Sequence, residues 1–157
     1  MKRLAQIAAL YAQIDQIFQS ERGDAVERSD SVAVVRVAEK QLLNDQAYFV
    51  LCWGQLETEV DDACRAAINR RTVSADWEMR RGFDIYDTDD KRLSGLPFDR
   101  RAAMVLDRRA GRGSPFAKLL NYYAIRNQIA HGKLLASRID VTSDLADFFI
   151  IQAAITR

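Results

Sequence analysis

The chain has 157 residues, of which 48% are hydrophobic and 29% are charged, with only seven Gly and two Pro. A chain of this length predicts one domain, spanning residues 1–157, with a self-sufficient hydrophobic core. The composition is too apolar for a disordered chain and too poor in turn-forming residues for a many-stranded β fold. We therefore expect an all-α protein.

The cysteine and histidine counts exclude several chemistries. One His and two Cys cannot supply four Cys/His ligands to a zinc ion. Cys52 and Cys64 lie in one predicted helix, about 18 Å apart along its axis, whereas a disulfide requires Cα atoms within about 7 Å. We expect two core thiols in a reducing cytoplasm.

No segment predicts a membrane or export role. The first predicted helix is broken by polar residues and lacks the apolar core of a signal peptide. The longest apolar run, residues 47–53, is far shorter than the roughly 18 residues that a membrane span needs. We therefore expect a protein of the cytoplasm with no membrane partner.

The net charge of +1 hides an uneven distribution. Residues 1–64 hold six basic and eleven acidic residues, whereas residues 65–112 hold twelve basic and eight acidic ones. Most of the basic residues are Arg, whose planar guanidinium suits phosphate. The pattern fits either solvated helix faces with ion pairs or a local strip that binds a polyanion.

The first half of the chain predicts two long helices. Apolar residues repeat at three and four positions over residues 2–20, and residues 21–24, which include Gly23, are expected to end that helix. Ser29 or Asp30 is placed to cap the next one. Residues 32–37 are β-branched, so a short strand competes with helix there. Residues 42–70 form the longest predicted helix, with one apolar stripe of Phe49, Trp53, Leu56, Val60, Ala63, Ala67 and Ile68.

The second half predicts shorter elements. A short helix is expected over residues 75–81, a loop over residues 84–95 and the start of a helix over residues 97–107. The loop aspartates, Asp87, Asp89 and Asp90, fit a solvated turn better than a calcium site, because the required Gly and Glu spacing is absent.

Two further helices complete the prediction. Ser114 and Pro115 predict the N-terminus of a helix that runs to His131, with Gly132 just after its end. A last helix is expected over residues 143–155. Four or five helices without a sheet predict an up-and-down helical bundle.

One stretch contains residues suited to catalysis. Arg126 and Asn127 precede the chain's single His, His131, by five and four positions. Asn127 and His131 share a helix face, whereas Arg126 and His131 are about 140° apart. The simplest interpretation is a polar patch at a helix C-terminus, where the helix dipole favours cations.

The run Arg126-Asn127-x-x-x-His131 resembles the motif of the HEPN superfamily (higher eukaryotes and prokaryotes nucleotide-binding). In that motif an Arg and a polar residue precede a His, with four to six positions between Arg and His. Residues 48–57, an aromatic and apolar run that leads into Leu56-Glu57, are also similar to the first major helix of several HEPN groups. The resemblance covers these two helices, about a third of the chain.

The resemblance implies a helical bundle that forms a homodimer through the motif helices. Many HEPN proteins are ribonucleases that need neither metal nor cofactor, and many are toxins or defence effectors that an antitoxin protein can silence. RNA cleavage by its own 2′-hydroxyl needs proton transfer, which suits His131, and positive charge at the phosphate, which suits Arg126. Asn127 would position the phosphate or His131. Many other members are non-catalytic modules that bind nucleotides, RNA or protein partners, and this is the alternative function.

The resemblance adds four further candidate residues. Glu57 is a candidate to orient Arg126 or His131, although it equally fits a solvated helix acid. Tyr122 and Tyr123 are candidates to stack on an RNA base, although packing is the better interpretation. Lys133, a candidate substrate contact, stands where some HEPN toxins have a Tyr that receives a nucleotide, which argues against that subgroup.

Overall fold

The computed structural model describes residues 2–83, 93 and 95–155. These residues form six helices and no strand, so the prediction of an all-α fold is confirmed. The helices are α1 (Lys2–Glu27), α2 (Ser31–Thr72), α3 (Trp77–Arg80), α4 (Phe98–Val105), α5 (Pro115–Ala130) and α6 (Val141–Ile155). Residues 84–92 lie outside the described residues, so the expected turn with Asp87, Asp89 and Asp90 stays a prediction.

The chain packs as two compact units. The first consists of Met1–Gln55 and Tyr123–Ala146, and the second of Leu56–Tyr122 and Asp147–Arg157. Helices α2, α5 and α6 each contribute residues to both units. One domain over residues 1–157 stays a prediction.

The expected end of α1 at Gly23 is wrong, because the helix continues to Glu27. Ala25 is 1% exposed, so the last turn buries an apolar side chain. A Gly inside a helix costs only about 1 kcal/mol, which such packing offsets. The helix ends instead where Ser29 adopts a left-handed conformation (φ 55°) and the Asp30 N–H bonds the Ala25 carbonyl at 3.0 Å.

Helix α2 includes the β-branched stretch that also fitted a strand. Its N-cap is Asp30, whose carboxylate accepts a hydrogen bond from the Ala33 N–H at 2.9 Å. The 42 residues of the helix extend for about 63 Å. The predicted apolar stripe is confirmed, because its large members are all at most 1% exposed: Phe49, Trp53, Leu56, Val60 and Ile68.

The two cysteines are free and buried, as predicted. Burial raises the pKa of the Cys52 thiol to about 11 and that of the Cys64 thiol to about 11. The Cys64 thiol also donates to the Arg101 carbonyl at 3.1 Å. Both thiols therefore stay protonated near neutral pH, as structural core thiols do.

The helices of the second half begin close to the predicted positions. Ser114 caps α5, because its hydroxyl accepts from the Ala117 N–H at 3.2 Å. Helix α6 begins at Val141, two residues earlier than predicted. The Asp140 carboxylate, which accepts from the Ser143 N–H at 3.0 Å, is its N-cap.

Candidate functional site

The predicted motif lies at the C-terminal end of α5. The helix ends at Ala130, and Gly132 follows in the left-handed conformation (φ 77°). The Gly132 N–H bonds the Ile129 carbonyl at 3.0 Å, and the Lys133 N–H bonds the Gln128 carbonyl at 2.9 Å. These two bonds define a Schellman motif, the helix ending for which Gly is the favoured residue.

This ending places His131 where the chain leaves the helix. Its N–H still donates to the Asn127 carbonyl at 3.0 Å, so His131 lies one turn after Asn127. Its side chain is exposed, and so is that of the nearby Lys133. An exposed imidazole can exchange protons with a solvent-borne substrate, which general acid–base chemistry requires.

Arg126 and Asn127 are joined by a hydrogen bond. The Arg126 Nη1 donates to the Asn127 Oδ1 at 2.9 Å, and both side chains are half-buried. Neighbouring helix residues point about 100° apart, so the long Arg side chain bends round the helix to reach the amide. The bond therefore joins the guanidinium to the Asn127 amide, one turn before His131.

The loop that follows the motif is anchored to α2 by a glutamine. The Gln46 Nε2 donates to the Leu135 carbonyl, and the Gln46 Oε1 accepts from the Leu135 N–H, each at 3.1 Å. Gln46 is 1% exposed, so both bonds form inside the protein. The side chain thus satisfies both backbone groups of one loop residue four positions after His131.

A second anchor joins the same loop to α2 and α1. The Arg138 Nε donates to the Asp45 Oδ2 at 2.6 Å, and its Nη2 reaches the Asp45 and Asp15 carboxylates at 3.2 and 3.1 Å. The Tyr11 hydroxyl donates to the fully buried Asp45 at 3.0 Å. Sequence reasoning missed this network, because its members are up to 123 positions apart.

The network changes the pKa of two of its members. The hydrogen bond to Asp45 is the main reason that the pKa of Arg138 lies above its ordinary value. Burial, and then the bond to Asp45, raises the pKa of Tyr11 well above its usual range. Tyr11 therefore remains a neutral donor and Arg138 a cation, so that both keep their bonds to Asp45.

The two tyrosines before the motif have packing roles. The Tyr123 ring is half-buried and lies 5.9 Å from the Trp53 ring, with a tilt of 31° between them. Tyr122 is 8% exposed, packs edge-to-face on Phe148 at 5.0 Å and donates to the Asp147 carboxylate at 2.7 Å. These contacts agree with the preferred interpretation of packing, and base stacking by Tyr123 stays a prediction.

Glu57 belongs to the second unit, whereas Arg126, Asn127 and His131 belong to the first. Its carboxylate accepts from the Arg101 Nη2 at 3.4 Å, and the same guanidinium also bonds the Asp61 carboxylate. Arg101 is thus a partner of Glu57 that sequence reasoning did not find. The orienting role of Glu57 toward the motif stays a prediction.

Two further properties concern the described ranges alone. They hold no group of three or more His, Cys, Asp or Glu side chains arranged to bind a metal ion. None of the helices within those ranges is long and apolar enough to cross a membrane.

No family model matches the chain, and no curated protein or solved structure is significantly similar to it. The candidate site therefore consists of the end of α5 and the loop that follows it. A guanidinium bonded to an amide and an exposed imidazole lie there within six residues of the sequence.

Proposed function

We propose that the chain is an endoribonuclease of the HEPN type, which cleaves RNA without a metal ion. The observation that carries the proposal is the bond between Arg126 and Asn127, one turn before an exposed His131. A polar helix ending needs only a Gly and free carbonyls. It does not need a guanidinium bonded to an amide one turn before the chain's single imidazole.

The proposed reaction is an attack by the ribose 2′-hydroxyl on the adjacent phosphorus. The new P–O2′ bond forms as the P–O5′ bond breaks, which leaves a 2′,3′-cyclic phosphate and a 5′-hydroxyl. One imidazole accepts the 2′-hydroxyl proton, and an imidazolium donates a proton to the departing 5′-oxygen. Arg126 stabilises the charge on the non-bridging oxygens, and Asn127 fixes its guanidinium.

The reaction has two proton transfers, which two imidazoles can divide between them, and one protomer has a single His. We propose that a second copy supplies the other, in a homodimer formed through the motif helices. A closed two-fold dimer places the same residues from both protomers around one axis. One His131 then acts as the base and the other as the acid.

The cleavage test uses single-stranded RNA and an excess of chelator. We expect cutting to persist with chelator and to leave 5′-hydroxyl ends, which a polynucleotide kinase labels without prior dephosphorylation. His131→Ala should abolish cleavage, and Arg126→Ala should lower it roughly 100-fold or more. Asn127→Ala, which removes the amide that bonds Arg126, should also lower cleavage, whereas Gln128→Ala, which removes an exposed amide from the next position of α5, is its control and should not.

Metal-dependent cutting, or full activity in both His131→Ala and Arg126→Ala, would overturn the proposal. RNA binding that is salt-sensitive but never leads to cleavage would instead indicate the non-catalytic module. The dimer has its own test, in which excess His131→Ala protein is mixed with the wild type. Mixed dimers have one imidazole, so activity should fall, and unchanged activity would contradict a shared site.

A toxin or defence role is the biological part of the proposal. Expression of the wild-type chain in a bacterial host should arrest growth, and expression of His131→Ala to the same level should not. Relief of the arrest by the product of a neighbouring gene would identify an antitoxin. Equal growth with both chains would contradict the toxin role and leave the cleavage test unaffected.

A further inference from the structure

The second unit presents an exposed tryptophan among arginines. Trp77 is 60% exposed, whereas the other tryptophan, Trp53, is fully buried. The Arg81 guanidinium lies over the Trp77 ring at 5.5 Å, and that of Arg71 lies over the Phe83 ring at 4.6 Å. We give the name Trp77 platform to these two pairs together with Arg70, the exposed neighbour of Arg71 in the last turn of α2.

Local hydrogen bonds hold the Trp77 platform in shape. The Asp76 carboxylate caps α3 by accepting from the Glu78 N–H at 2.9 Å. The Arg80 Nη1 donates to the Ser74 carbonyl at 2.9 Å and closes the turn between α2 and α3. Trp77 is therefore displayed on an ordered turn, and little conformational entropy remains to be lost when a ligand binds.

The platform arginines keep their charge available. Within the described part of the chain, no carboxylate forms an ion pair with Arg70, Arg71 or Arg81. Arg101, in the same unit, is by contrast bonded to two carboxylates. Exposed guanidinium groups beside aromatic rings are the combination that attracts phosphates and stacks on bases.

We infer that the Trp77 platform binds single-stranded nucleic acid. A base stacks on the exposed face of Trp77, and Arg70, Arg71 and Arg81 contact the flanking phosphates. A neutral apolar protein partner would leave these three charges unpaired at the interface, which is unfavourable. The inference rests on the proposed function only in naming RNA as the natural strand.

The binding test uses a 2′-O-methyl oligonucleotide, which cannot be cleaved by 2′-hydroxyl attack, and a DNA strand of the same sequence. Because Trp53 is buried, quenching of tryptophan fluorescence by either strand reports on Trp77. We expect quenching at low salt and about tenfold weaker binding by Trp77→Ala, measured by anisotropy of a labelled strand. Trp77→Phe should restore most of the affinity, because a phenyl ring also stacks.

Arg109→Ala is the matched control for Arg81→Ala, because each removes one exposed arginine from the second unit. Arg81→Ala should lower the slope of log Kd against log salt by roughly 0.7, and Arg109→Ala should leave affinity within twofold. Unchanged affinity in Trp77→Ala, equal losses in the two arginine variants, or no binding of either strand would each overturn the inference.

The two proposals fail separately. If the wild type binds the uncleavable strand through Trp77 but never cuts RNA, the platform stands and the nuclease proposal fails. If RNA is cut with an unchanged KM by Trp77→Ala, the nuclease stands and the platform inference fails. Circular dichroism should show that Trp77→Ala is folded, because the side chain that it removes is 60% exposed.

Discussion

The contact between Arg138, in the loop after His131, and Asp45 leads to a testable prediction about stability. Replacing Arg138 by Ala removes its hydrogen bonds to Asp45 and Asp15. Asp45 is 0% exposed and keeps only the Tyr11 hydroxyl as a donor among the described side chains. Arg138→Ala therefore leaves a buried carboxylate without its cation.

The expected magnitudes follow from which partner remains buried. Removing Arg138 leaves the Asp45 charge inside, which should lower the free energy of unfolding by up to about 3 kcal/mol. Asp45→Asn should lower the free energy of unfolding by less, about 1 kcal/mol, because Arg138 is 43% exposed and can turn toward water. The double variant lacks the stranded charge, so Arg138→Ala/Asp45→Asn should be more stable than Arg138→Ala alone.

Urea unfolding at neutral pH, followed by circular dichroism, measures these differences. Arg36→Ala, at an exposed site in the same unit, is the control and should change the free energy of unfolding by about 0.5 kcal/mol at most. The reasoning is refuted if Asp45→Asn is more destabilising than Arg138→Ala, or if the double variant is less stable than Arg138→Ala.

Two further predictions concern the helix ends and pH. At both Gly132 and Gly23 an added Cβ would meet nothing within 4 Å, so only backbone conformation matters. Gly132→Ala should lower the free energy of unfolding by about 1 kcal/mol, because the φ of 77° at this position is unfavourable for a residue with a side chain. Gly23→Ala, inside α1, should raise it by up to about 1 kcal/mol. Thermal unfolding of the two variants checks this, and a gain at Gly132 would contradict it. The Lys118 ammonium, followed by the Tyr122 hydroxyl, lowers the pKa of Asp147 below its ordinary 3.8 in the folded state. This carboxylate therefore stabilises the fold above pH of about 4 and loses that effect as pH falls through the folded pKa. Asp147→Asn should thus be less stable than the wild type by about 1 kcal/mol at pH 7. Urea unfolding should show that this difference in stability shrinks toward pH 2. A difference that does not change with pH would contradict the stabilising role of the Asp147 carboxylate.

Much of the fold follows from local patterns in the sequence. The stripe from Phe49 to Ile68 identified the core face of α2, and Ser114 identified the start of α5, because periodicity and capping act within a few residues. The predicted end of α1 at Gly23 was wrong because such local patterns do not include tertiary packing. Gly23 disfavours helix by intrinsic propensity, whereas the burial of Ala25 is a property of the folded protein that propensity does not include.

The candidate site also has features that the local sequence predicts and features that it does not. Arg126, Asn127, His131 and Gly132 form one short run, so their arrangement at a helix end could be predicted from the sequence. The bond between Arg126 and Asn127 depends on the side-chain rotamers, which no spacing rule predicts. The contact of Gln46 with the loop joins positions 89 apart and has no local pattern.

These distant contacts bear directly on how a nuclease at this position would work. General acid–base catalysis requires an imidazole held within hydrogen-bond reach of the transferred proton, and an exposed residue just beyond a helix end is prone to fraying. Here the helix end is closed by the Schellman bonds at Gly132, and the chain is fixed again at Leu135 by Gln46 and at Arg138 by Asp45. His131 is thus exposed to solvent while the backbone on both sides of it is held by hydrogen bonds, which is the arrangement that the proposed acid–base role requires.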